Sequence, residues 1–76
     1  MINEKTYFND WSNTDLINLD KETSGLKFDN DCITRKIVAD LYPTRPFVEA
    51  LIFVRSLLCS EIASRLNELI NIIHSI

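Results

Sequence analysis

Residues 47–76 read FVEALIFVRSLLCSEIASRLNELINIIHSI, and this stretch decides the fold. It contains no Gly and no Pro, and 18 of its 30 residues are apolar. At about 100° per residue, Glu49, Ser56, Ser60, Asn67, Asn71 and His74 gather on one polar stripe. Phe47, Val48, Leu51, Ile52, Leu58, Ile62, Leu66, Leu69, Ile73 and Ile76 cover the opposite arc. A helix this apolar is expected to be buried on most sides.

Length turns that expectation into a problem of covering area. A compact chain of 76 residues has a radius of gyration of roughly 11 Å. A straight thirty-residue helix is about 45 Å long. It must overhang its own domain by about three turns, or break. An overhang carrying Leu66, Leu69, Ile70, Ile73 and Ile76 is an exposed apolar patch, the usual mark of a contact surface. Small chains often gain stability by oligomerising. The expected fold is therefore all-α: one small three-helix domain with a long, mostly buried C-terminal helix, paired as a homodimer.

Ile62, Leu66, Leu69, Ile73 and Ile76 alternate spacings of four and three, the pattern of a coiled-coil seam over two heptads. Arg55 lies in the middle of the same apolar arc. A guanidinium keeps its charge, so a buried Arg55 needs a partner. Asp15, Asp20, Asp31 and Asp40 are the intrachain choices; an oligomer seam, where Arg55 would set register, is the other. Arg55 is accordingly grouped with Ile62, Leu66, Leu69, Ile73 and Ile76 as a self-association set. Glu61 and Glu68 flank Arg65 at helical spacing, which suits surface ion pairs worth about 0.2–0.5 kcal/mol each.

The preceding residues divide readily. Residues 1–12 form an acidic, aromatic arm with Tyr7, Phe8 and Trp11. A short helix is expected over 13–24, with Ser12 or Asn13 as its cap, Asp15 in its first turn and Gly25 as a left-handed stop. Leu26-Lys27-Phe28 reads as an extended connection with both apolar residues pointing one way. Asp29, Asn30 and Asp31 form a capping cluster for an amphipathic helix over 31–42, whose apolar positions are Ile33, Ile37, Val38 and Leu41. Pro43 ends it. Pro46 suits the first position of the long helix, expected over 46–76.

The formal net charge is −3, which does not suit bulk attraction to nucleic acid. Charge is nonetheless uneven. Arg35, Lys36 and Arg45 make residues 32–46 locally basic, and a helix–turn–helix outline raises the question of DNA. The helix after the turn opens Phe-Val-Glu-Ala-Leu-Ile-Phe-Val, core material that does not suit a major groove. Contact with DNA through Arg35, Lys36 and Arg45 therefore stands as the alternative, a dimeric regulator with weak, salt-sensitive binding.

The chemistry-bearing residues are sparse. One Gly cannot build a phosphate loop, and one His, at position 74, has no metal-ligand pattern around it. Asp29 and Asp31 lack the downstream Gly and Glu of a calcium loop. Cys32 and Cys59 read as reduced core residues, neither in a C-x-x-C motif. No enzyme, cofactor, metal or small-molecule substrate is expected. The N-terminus lacks the apolar core of a signal peptide, and five charges break the long helix as a membrane span, so a cytoplasmic protein is expected.

What remains is recognition of another protein. Tyr7, Phe8 and Trp11 among Asp10 and Asp15 have the composition of an interface, with aromatic anchors and steering charges. The competing expectation is that these aromatics cover the long helix. The function read from the sequence is a small protein-binding regulator or inhibitor that occupies a partner's surface. A small adaptor or chaperone subunit of a larger assembly is a further alternative.

Overall fold

The computed structural model describes residues 3–25 and 27–75. A 3₁₀ turn, Glu4–Thr6, leads to three helices: α1, Asn13–Ser24; α2, Ile33–Leu41; and α3, Phe47–His74. There is no strand among the described residues. Leu26 and Ile76, part of the expected connection and seam, lie outside them.

Local chemistry accounts for most boundaries. The Ser12 hydroxyl accepts from the Asp15 N–H at 3.1 Å, which satisfies one of the free donors of the first turn. Gly25 follows α1 in an extended conformation, φ −78° and ψ 170°, not the left-handed stop expected of it. Pro43 follows the C-cap Tyr42 of α2. Pro46 is the N-cap of α3, one residue outside the helix, and its carbonyl accepts from the Ala50 N–H at 2.9 Å.

The start of α2 departs from expectation. Cys32 is the N-cap and makes no side-chain cap. The Glu22 carboxylate reaches over from α1 instead, accepting from the Thr34 N–H at 3.0 Å and the Thr34 hydroxyl at 2.8 Å. A carboxylate there satisfies free donors and complements the helix dipole. Asp29, Asn30 and Asp31 contribute no such cap because Glu22 already holds the site.

The core joins all elements. Leu16 and Leu19 of α1, Ile37 and Val38 of α2, and Ala50, Val54 and Leu58 of α3 are buried, together with Phe8 of the arm. On α3 the buried row runs at intervals of four, a ridge suited to helix packing. Val48 and Ile52, expected on the buried arc, are exposed at 71% and 64%. Cys32 is half-buried and Cys59 exposed; both are free thiols.

The long helix is not mostly buried, which corrects the sequence expectation. It runs unbroken for 28 residues, about 42 Å, and the molecule's longest dimension is 46 Å. Its first two-thirds carry the domain. Leu66, Leu69, Ile70, Ile72 and Ile73 are 49–68% exposed, because the chain has no further described element to lay over them.

Phe8 is central to this core. It is 2% exposed, and it meets Tyr7 and Trp11 edge-to-face at centroid distances of 5.1 and 4.9 Å, a favoured arrangement for aromatic quadrupoles. Phe8→Ala is expected to destabilise the fold by about 3–5 kcal/mol, a large share of a small domain's stability. Urea unfolding followed by circular dichroism measures this; a loss below about 1 kcal/mol would mean that the arm does not complete the core.

Candidate protein-interaction surface

Two arginines of α3 fasten the N-terminal arm and α1 to the long helix. The Arg55 Nη1 donates to Asp20 Oδ1 at 2.6 Å and to the Thr23 hydroxyl at 2.9 Å. Thr23 is itself buried and donates to the Leu19 carbonyl at 2.9 Å. Arg55 is thus an intrachain link between α1 and α3, on a part of the arc that α1 covers. Asp20, among the four carboxylates considered, is its partner.

Arg65 does more than the sequence suggests. Its ion pair with Glu61, at 3.6 Å, is the minor part. Its Nη1 donates to Asn13 Oδ1 at 2.7 Å, and its Nη2 to the carbonyls of Trp11 and Phe8 at 2.6 and 3.1 Å. The planar fork of guanidinium donors suits such a convergent set of acceptors, and an ammonium does not reproduce it. One side chain therefore ties the arm and the start of α1 to α3. Nothing in the local spacing of Arg65 announces this role.

The arm residues considered as partner anchors separate. Phe8 is core, which corrects its assignment to a partner surface. Tyr7 and Trp11 pack partly against the core. Trp11, Asp10 and Asp15 do come together, with Asn18 and Ile33, around a shallow cleft of about 390 Å³. The Tyr7 hydroxyl donates to Asp40 at 3.3 Å and the Tyr42 hydroxyl to Glu4 at 2.6 Å; both bonds hold the arm to the α2 end of the domain.

The basic group is largely engaged within the chain. Arg35 donates through Nε to the Phe28 carbonyl at 3.1 Å, and its guanidinium stacks 4.4 Å from the Phe47 ring centroid. Arg45 pairs with Glu49 at 2.6 Å and lies 5.0 Å from the Phe53 ring centroid. Lys36 is exposed. His74 is exposed on the last turn of α3. Among the described residues, no group of three His, Cys, Asp or Glu is placed to hold a metal ion. No helix among them is long and apolar enough to cross a membrane.

The seam residues stay together in the open. Ile62 packs partly against the core, while Leu66, Leu69 and Ile73 stand exposed on the same face. Ile70 and Ile72 widen that face on either side, and all of these positions follow from helical spacing. Ile17, 53% exposed, belongs to the apolar side of α1, so spacing along α3 does not relate it to this face. It joins Asn13, Leu16, Ile62, Arg65, Leu66 and Leu69 in lining an apolar groove of about 210 Å³. An exposed, contiguous apolar face of this kind is what a binding surface looks like in physical terms. Comparison of the chain with protein-family models, with curated proteins and with solved structures found no match.

Arg65→Lys is expected to cost about 1–2 kcal/mol, the value of charge-assisted hydrogen bonds at a partly exposed site. It should also loosen the arm, seen as a red shift in the fluorescence of Trp11, the chain's one tryptophan. A shift without loss of helicity identifies Arg65 as the fastening of the arm; an unchanged spectrum opposes it.

Alkaline pH tests the other attachment. Burial of the phenol, then the hydrogen bond and charge of Glu4, push the Tyr42 pKa up from 10.0 to about 12, with Arg45 opposing. Burial and then the charge and hydrogen bond of Asp40 raise Tyr7 as well. A folded-state value above the unfolded one means a stabilisation present in full below pH 10.0 and lost as pH rises towards about 12. Unfolding titrations should show stability falling across that window, with a shallower fall in Tyr42→Phe.

Proposed function

We propose that this chain is a non-enzymatic protein-binding module, acting as a regulator or inhibitor, whose working surface is the free end of α3. The observation that carries this reading is the exposure of Leu66, Leu69, Ile70, Ile72 and Ile73 on one helix end. An apolar helix face is a common recognition element, read by a partner through residues at spacings of three and four. Leaving it in water costs free energy that a partner would recover.

The reading moves the binding surface away from the aromatic arm, whose Phe8 is buried in the fold. The arm instead holds the domain together so that α3 can project. The non-enzymatic character rests on the residue inventory: a single Gly and a single His in 76 residues leave little from which to build a nucleophile–base pair or a phosphate cradle. A DNA-directed role has less support, because the guanidiniums of Arg35 and Arg45 already have partners within the chain.

The test is site-specific photo-crosslinking of the full chain in living cells. p-Benzoyl-phenylalanine in place of Ile70, on the apolar face, is expected to give discrete protein adducts. The same group in place of Asn71, on the polar stripe, should give none. Leu69→Asp, at an exposed position, should remove the Ile70 adducts while leaving the helical content of the fold intact. Equal labelling from both positions, or no adduct from Ile70, would sink the reading.

A further inference from the structure

We infer that the free end of α3 pairs with the same segment of a second copy, antiparallel, each tip continuing the line of the other copy's α1. This rests on the docking reading of the α3 end and names its occupant.

The direction follows from where α1 lies. Its residues meet α3 in reverse order, Asn13 at Arg65 (2.7 Å) and Asp20 at Arg55 (2.6 Å), so α1 runs antiparallel to α3. Leu16 and Ile17 border the same groove as Ile62, Leu66 and Leu69. Hence α1 sits on the seam itself and ends level with Arg65, and the seam is open only beyond that point. Two packed helices approach to about 8–10 Å. In a parallel pair, both copies of α1 would stand at one height on the shared face and hold the helices apart. Antiparallel pairing sends the two domains to opposite ends and leaves the seam free.

The fit is then set by length. The open stretch on each copy and the tip that fills it are the same residues, roughly 66–75, about 15 Å of helix. Leu66 and Leu69 of one copy face Ile73 of the other. The incoming tip runs in the direction of α1, so its C-terminal end meets the N-terminal end of α1 and the two helix dipoles align head to tail. Ile17, half exposed at the first turns of α1, closes over the end of that tip.

Charge favours the same arrangement. Between Arg65 and His74 the only formal charge is Glu68, so the two faces meet without like charges in opposition. Of the net charge of −3 per chain, Glu68 accounts for −1, and the other −2 lies in the domains towards the far ends of the pair. The exposed arc, from Ile72 across Leu69 and Ile73 to Ile70, spans about 160°, wider than a two-residue seam, and the groove wall at Ile17 covers what a lone helix would miss. A contact confined to about three helical turns of each copy suits a concentration-dependent dimer.

The experiment combines solution mass with a distance. Light scattering over a thousandfold concentration range should show mass rising from 8.8 kDa towards twice that value. A spin label on the exposed Cys59, in a Cys32→Ser background, should report an intermolecular distance on the order of 35 Å for antiparallel tips. Parallel pairing would give roughly 10–20 Å, set by the interaxial spacing. Leu69→Asp should abolish the dimer, and Ile17→Asp should weaken it at least tenfold with the fold retained. A constant mass of one chain, a short distance, or indifference to Ile17→Asp each overturns the inference. Ile70 adducts to other proteins from a strictly monomeric chain would overturn the second-copy pairing alone; a monomer with no adducts would overturn the docking reading with it.

Discussion

A helix about 42 Å long in a chain of 76 residues is the constraint on which this structure depends. The described residues before α3 cover only part of it. They concentrate on its first two-thirds, where Ala50, Val54 and Leu58 become fully buried, and leave the remainder in water. Burial on this scale is the largest favourable term available to a small domain. It is obtained at one end of the helix and withheld at the other. The projecting end is the part of α3 on which no described element packs, and its exposed residues are apolar.

The arm and α1 are held on α3 by two guanidiniums at different heights. Arg55 joins the middle of the helix to the second half of α1. Arg65 gathers the carbonyls at the end of the arm and the side chain of Asn13. Isolated surface ion pairs contribute little, but a guanidinium that meets several backbone acceptors satisfies groups that would otherwise compete for water. The second arginine also stands where coverage stops. Upstream of it, α3 carries the buried row Ala50, Val54 and Leu58; downstream, its apolar residues are exposed.

The helices were legible because their signals are local. Periodicity marks the long helix, Ser12 begins α1, and Pro43 and Pro46 bracket the turn between α2 and α3. The buried face of α3 was harder to read. With apolar residues around most of its circumference, the pattern has no sharp direction, and the row that is buried, Ala50–Val54–Leu58, is only partly the arc that spacing suggested. Val48 and Ile52 lost that place because α1 and α2 pack on another side. The cap of α2 was illegible for a related reason: Glu22 lies twelve residues from Thr34, beyond the reach of any capping pattern.

From the sequence alone came the class of fold, the approximate length of the last helix and the expectation that it overhangs or breaks. Those depend on composition, spacing and rise per residue, all of which are properties of short stretches. Tertiary structure decided that the helix runs unbroken, that Phe8 belongs to the core and that Arg55 bonds to Asp20. It also brought Ile17 beside Ile62 and Leu66. These outcomes turn on which surfaces meet when several helices compete for one apolar cylinder, and that competition is settled only by packing in three dimensions.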